Sequence, residues 1–116
     1  MSDGKVRIVF LLTLRPGAGD TFLAAYESVR WQVAGTPGHL VDQVCQSATD
    51  PDQWLITSEW QSLDAFIAWE KTPRHRELAA GMMATVLRRE SLRFQILAET
   101  LGEARPQSAT TAGARR

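Results

Sequence analysis

The sequence predicts an α+β domain built on a split βαβ plan, and three features carry that prediction. Apolar residues recur with a period of two in four stretches and with a helical period in two others. These stretches run in the order strand, helix, strand, strand, broken helix, strand. Pro, Gly and Asp clusters sit between them, where turns belong. The four strands then form one antiparallel sheet, with the helices on a single face, as in a ferredoxin-like sandwich.

Residues 5–15 form the first strand. Val6, Ile8, Phe10, Leu12 and Leu14 make one fully apolar face. The other face, with Val9 and Leu11 among Lys5, Arg7 and Thr13, is half apolar, so both sides need some cover. Pro16-Gly17-Ala18-Gly19 breaks the strand, and Asp20 or Thr21 is placed to cap the helix that follows. Phe22, Tyr26, Val29 and Val33 form that helix's inward stripe. Gly35-Thr36-Pro37-Gly38 ends it.

His39–Ser47 is a weaker strand, and His39 at its start reads as exposed. The turn at 48–52 leads to a strand over Gln53–Trp60, an antiparallel hairpin arrangement. Trp54, Ile56 and Trp60 share one face of it, and Leu55, Thr57 and Glu59 the other. Ser62 opens a second helix with Leu63, Phe66 and Ile67 as its stripe and Trp69 one turn on. Pro73 stops this helix and suits the first turn of a third, capped by Thr72, with Leu78, Met82 and Met83 inward. Residues 85–98 return to alternation, clearest at Leu92, Phe94 and Ile96. From Gly102 onward no large apolar residue occurs. The domain is therefore assigned to 1–98, and 99–116 to a flexible tail.

At 116 residues and 44% hydrophobic content, one ordinary core is expected. The 13 basic and 13 acidic residues cancel, so no general pull towards nucleic acid or an anionic membrane is expected. No apolar run spans a bilayer, and charges occupy the start of the chain where a signal peptide needs its apolar core. A lone cysteine, Cys45, excludes an intrachain disulfide and fits a cytoplasmic protein; its apolar neighbours make it a small buried hydrophobe. The two histidines form no ligand spacing, so no metal site is assigned. Half-apolar outer faces on the first and third strands call for a partner, most simply a second copy of the chain packed sheet to sheet.

Taken together, the Pro-Gly break at 16–17, the Gly-Thr-Pro-Gly at 35–38, the segment Asp42–Asp52, Thr57-Ser58-Glu59-Trp60, Ser62-Leu63-Asp64-Ala65-Phe66 and Trp69 resemble the antibiotic biosynthesis monooxygenase (ABM) domain. The resemblance covers residues 5–98. It implies a homodimeric α+β barrel with a pocket between sheet and helices. One branch of that family oxidises anthrone- or naphthacenone-type phenols of aromatic polyketide pathways to quinones with molecular oxygen, without metal or flavin. Another degrades haem. Trp69 fits a tryptophan of the haem branch, but Ala79 stands where that branch has its histidine ligand, and Val6–Leu14 holds no asparagine. Both departures argue against haem chemistry.

Within the oxygenase branch no cofactor is expected. An electron-rich phenol reduces oxygen once deprotonated, so the protein needs a dry pocket, a base and a polar hold on the anion. Phe22, Tyr26, Trp54, Trp60, Phe66 and Met82 are the candidate substrate-binding residues, since large planar side chains suit a planar aromatic substrate. His75 is the candidate base, because imidazole titrates near neutrality; its plainer alternative is a histidine facing solvent at a helix start. Trp69 is a candidate pocket wall with a part in electron transfer. Arg89, with Arg88 beside it, is the candidate hold for an anionic oxygen; a solvated pair is the plainer alternative. A different class of function fits the same domain: a non-catalytic subunit that binds polycyclic ligands or assembles a polyketide pathway.

Overall fold

The computed structural model describes residues 4–103. Strand β1 (Val6–Leu14) is followed by helix α1 (Gly19–Ala34), the hairpin β2 (His39–Gln46) and β3 (Gln53–Trp60), helices α2 (Leu63–Glu70) and α3 (Pro73–Met83), and strand β4 (Val86–Gln95). The sheet order is β2-β3-β1-β4, and every neighbouring pair is antiparallel. This is the ferredoxin-like α+β fold that the alternation of the chain predicts. Part of the segment assigned to a tail, 104–116, lies outside the described residues; 99–103 are exposed and form neither helix nor strand.

The core forms where the even-numbered side chains of β1 meet the helices. Ile8 and Leu12 are fully buried, and Val6 and Leu14 almost so. Beneath α1 and the start of the sheet, Leu12, Leu14, Phe22, Trp54 and Ile56 pack together. Beneath α2, Val6, Ile8, Trp60 and Phe66 form a second cluster. The α1 stripe holds as expected: Phe22, Tyr26 and Val29 are buried. Its start does not. The helix begins at Gly19 with Ala18 as N-cap, and no side chain caps it, so neither Asp20 nor Thr21 has the expected role.

The two later caps follow the sequence. Ser62 Oγ accepts from the Ala65 amide at 3.1 Å, and Thr72 Oγ1 accepts from the His75 amide at 3.0 Å. Pro73 sits in the first turn of α3, where its missing N–H costs nothing. Replacing Ser62 with Ala should lower stability by about 1 kcal/mol, measured by urea denaturation.

Two expectations about β2 are corrected. Cys45 is exposed, because strand alternation turns it to the sheet face away from the helices, opposite Leu55. His39, expected at the surface, has only 6% of its side chain exposed. Gly38 brings it in. This glycine has φ +87°, and a Cβ there would stand 2.5 Å from the Ala65 Cβ of α2, so only glycine allows the chain to pass this close. The imidazole then rests edge-on against Trp60, with ring centroids 5.0 Å apart.

The other sheet face carries Val9, Leu11, Leu55 and Leu92, all half-buried, with Val41 and Phe94 exposed beside them. Arg7 and Lys5 cross this face to the buried carboxylate of Glu59, at 3.0 and 3.1 Å.

Candidate functional site

Between the helix-facing side of the sheet and the three helices lies a cavity of about 580 Å³. Its floor follows from strand alternation. Phe10 and Leu12 of β1, Ile56, Ser58 and Trp60 of β3, Asp42 of β2, and Arg89, Ser91 and Arg93 of β4 all point the same way. The register aligns Asp42, Ser58, Ile8 and Arg93 in one row across the sheet. The roof is α1 at Tyr26, Val29 and Val33, then Phe66 and Trp69 of α2 and the inward side of α3.

Of the candidate substrate-binding residues, Tyr26, Trp60, Phe66 and Met82 line the cavity. Phe22 and Trp54 do not. They pack edge to face at 5.7 Å inside the first core cluster, and the Trp54 indole N–H donates to the Pro51 carbonyl at 2.8 Å. A helical stripe or a strand face records which side is inward. It does not separate core from cavity wall.

Trp69, His75 and Arg89 all line the cavity. The His75 ring stands edge-on to Trp69, with centroids 5.5 Å apart. Its Nδ1 is buried and has no hydrogen-bond partner. Burial holds the imidazole below its ordinary pKa; the Glu70 charge opposes the shift and Arg76 reinforces it. The shift favours the neutral, proton-accepting form of the His75 ring. Of the arginine pair, only Arg89 faces the cavity; Arg88 points to the opposite side of β4, beside Thr13. Arg93 is committed elsewhere: it bridges Glu70 of α2 at 3.0 Å, and its guanidinium lies over the Phe66 ring.

The sequence reading missed a polar group on the β2 side. Tyr26 Oη donates to Asp42 Oδ2 at 2.7 Å, and Asp42 Oδ1 lies 3.4 Å from His39 Nε2. Burial raises the Asp42 carboxyl above the ordinary carboxylate range, while the Tyr26 hydrogen bond and His39 oppose that shift. The Tyr26 phenol is pushed well above its ordinary range by burial and by its bond to Asp42. One signal was available in the sequence. Asp42 has the same strand parity as Val44, so it sits on the helix-facing side, where an aspartate needs a partner.

Among the described residues, no three His, Cys, Asp or Glu side chains gather in a way that would hold a metal ion. No helix among them is long and apolar enough to cross a membrane.

The family model described as antibiotic biosynthesis monooxygenase matches residues 5–81. The chain is 44% identical over 101 residues to a 42.8 kDa protein in the whiE locus of Streptomyces coelicolor, covering 86% of this chain and 25% of that one. It is 39% identical over 101 residues to polyketide synthase CurD of Streptomyces cyaneus, covering 86% of this chain and 27% of CurD. The chain thus spans about a quarter of the length of these curated relatives. Among solved structures it is similar to SnoaB, a cofactor-independent oxygenase from Streptomyces nogalater, with a TM-score of 0.74 at 21% identity over 86% of this chain and 99% of SnoaB. At that identity the likeness is one of fold.

Proposed function

We propose, for a chain that belongs to the antibiotic biosynthesis monooxygenase family, that the cavity oxidises an electron-rich polycyclic phenol to a quinone with molecular oxygen and no cofactor. The observation that carries this reading is His75: an imidazole held below its ordinary pKa by burial, at the wall of a cavity floored by Phe10, Leu12 and Ile56. The polyketide synthase name of one relative and the cofactor-independent oxygenase SnoaB favour the substrate class and the reaction type.

An anthrone illustrates the chemistry. His75 takes the acidic proton, and the substrate becomes an enolate whose oxygen is held by Arg89. The enolate gives one electron to oxygen, and the resulting radical and superoxide combine to form a C–O bond. The peroxide takes up the proton from His75. Loss of the second C–H proton then breaks the O–O bond, leaving a carbonyl and one water. The balance is one substrate CH₂ and one O₂ giving C=O and H₂O. Trp69 and Phe66 wall the reacting ring and keep water away. With ¹⁸O₂, the new quinone carbonyl should carry one labelled oxygen; label entering only from H₂¹⁸O, under conditions without carbonyl exchange, would overturn this route.

The length of the relatives favours a second reading. A domain about a quarter of a larger protein's length suits a ligand-binding or assembly module. Such a module would bind polycyclic phenols tightly and consume no oxygen.

We propose further that two copies pack through the sheet face bearing Val9, Leu11, Leu55 and Leu92. A patch of this kind needs cover. The wild-type protein should have twice the chain mass in size-exclusion chromatography with light scattering. Leu11→Asp should elute as a folded monomer. A monomeric wild type would remove the proposal.

A further inference from the structure

The β2 side of the cavity carries hydrogen-bonding groups that the oxidation above does not use. Tyr26 and Asp42 line it, and His39 stands behind Asp42. A phenol has one proton to give. Tyr26 spends it on Asp42 at 2.7 Å, so its Oη offers only lone pairs to anything else in the cavity. A ligand group meeting Oη must therefore bring a hydrogen of its own. His39 holds the other Asp42 oxygen, which fixes the carboxylate that in turn fixes the direction of the Tyr26 hydroxyl.

The opposite side of the floor has the reverse character. β2 and β4 are the outer strands, three spacings apart, or about 14 Å. Between them the floor is apolar at Ile56, Phe10 and Leu12. On β4, Arg89 faces the cavity. The described salt bridges engage Arg7, Arg30, Arg74 and Arg93 but not Arg89. One end of the floor thus accepts a hydrogen bond and the other presents a cation.

We propose that Tyr26 Oη is a recognition site for a second, un-ionised hydroxyl of the substrate, at the end remote from the ionised oxygen held by Arg89. The substrate class narrows to flat polycyclic phenols that carry a free hydroxyl on a ring remote from the ionised oxygen. Asp42 and His39 are positioning residues for Tyr26. The inference rests on the preceding reading only for the place of the ionised oxygen.

Two quinones that are already oxidised test it without turnover: 2-hydroxyanthraquinone, and 2,6-dihydroxyanthraquinone, which adds a hydroxyl at the far end. Binding is followed by quenching of tryptophan fluorescence. The wild-type protein should bind the dihydroxy compound about tenfold more tightly, the worth of one buried hydrogen bond. Tyr26→Phe keeps the ring packing and should bring the ratio close to one. Asp42→Asn should lower the ratio, by weakening the dihydroxy compound more than 2-hydroxyanthraquinone. Thermal melting confirms that each variant is folded. A wild-type ratio near one, or a ratio that survives Tyr26→Phe, would overturn the proposal. Because no oxygen consumption is read, the outcome is independent of whether the protein turns over.

Discussion

His75→Ala should lower kcat/KM for phenol oxidation by about 10²- to 10⁴-fold, the contribution of a positioned general base. Melting should change little, because the ring is half-buried and its Nδ1 makes no hydrogen bond to lose. The pH profile supplies an independent sign. Burial disfavours the imidazolium, so the folded pKa lies below the ordinary 6.5. The base form is then favoured at pH 7, and activity should fall as the pH drops through that lowered value. Stability follows the same direction. The unfolded chain takes up a proton first, so any stability tied to neutral His75 is present above 6.5 and is lost as the pH falls through the folded value. A kcat/KM limb lying above 7 would assign the base elsewhere.

Trp60→Ala should cost about 3–5 kcal/mol of stability, as deletion of a large buried aromatic does. Trp60 is 1% exposed. Its indole N–H donates to Ser58 Oγ at 3.0 Å, and its ring meets Phe66 at 5.6 Å and His39 at 5.0 Å, both edge-on. Removing it opens a hole between the two hairpin strands and α2 and leaves the Ser58 hydroxyl without this partner. Trp69 is a contrast. Both line the cavity, but Trp69 is only half-buried, so Trp69→Phe should change stability by less than about 1.5 kcal/mol and should act on kcat instead. Urea denaturation of both variants checks the difference. Equal losses would place both tryptophans in one structural role.

The framework was legible because its signals are local. Even positions of β1 alternate, α1 carries one stripe, and Ser62 and Thr72 cap the helices that start after them. The site was legible only in part. Trp69 and His75 are six positions apart across Pro73, and the cap at Thr72 sets the turn that brings their rings together. By contrast, Tyr26 and Asp42 lie on different elements, and their bond needs the crossover of α1 over β2. His39 looked exposed because it begins a strand directly after a glycine. Its burial comes from Trp60, its partner across the hairpin register. Phe22 and Trp54 share the inward pattern of the cavity residues but fill the core, since composition does not record where packing leaves a space.

The central claim is oxidation by the protein and oxygen alone. Its most direct test is oxygen uptake by chelator-treated, flavin-free protein given an anthrone at pH 7. The account predicts one O₂ consumed per anthraquinone formed, at a rate well above the spontaneous oxidation and strongly reduced by His75→Ala. A rate no higher than the spontaneous one across several anthrones, from folded protein that binds them, would contradict it.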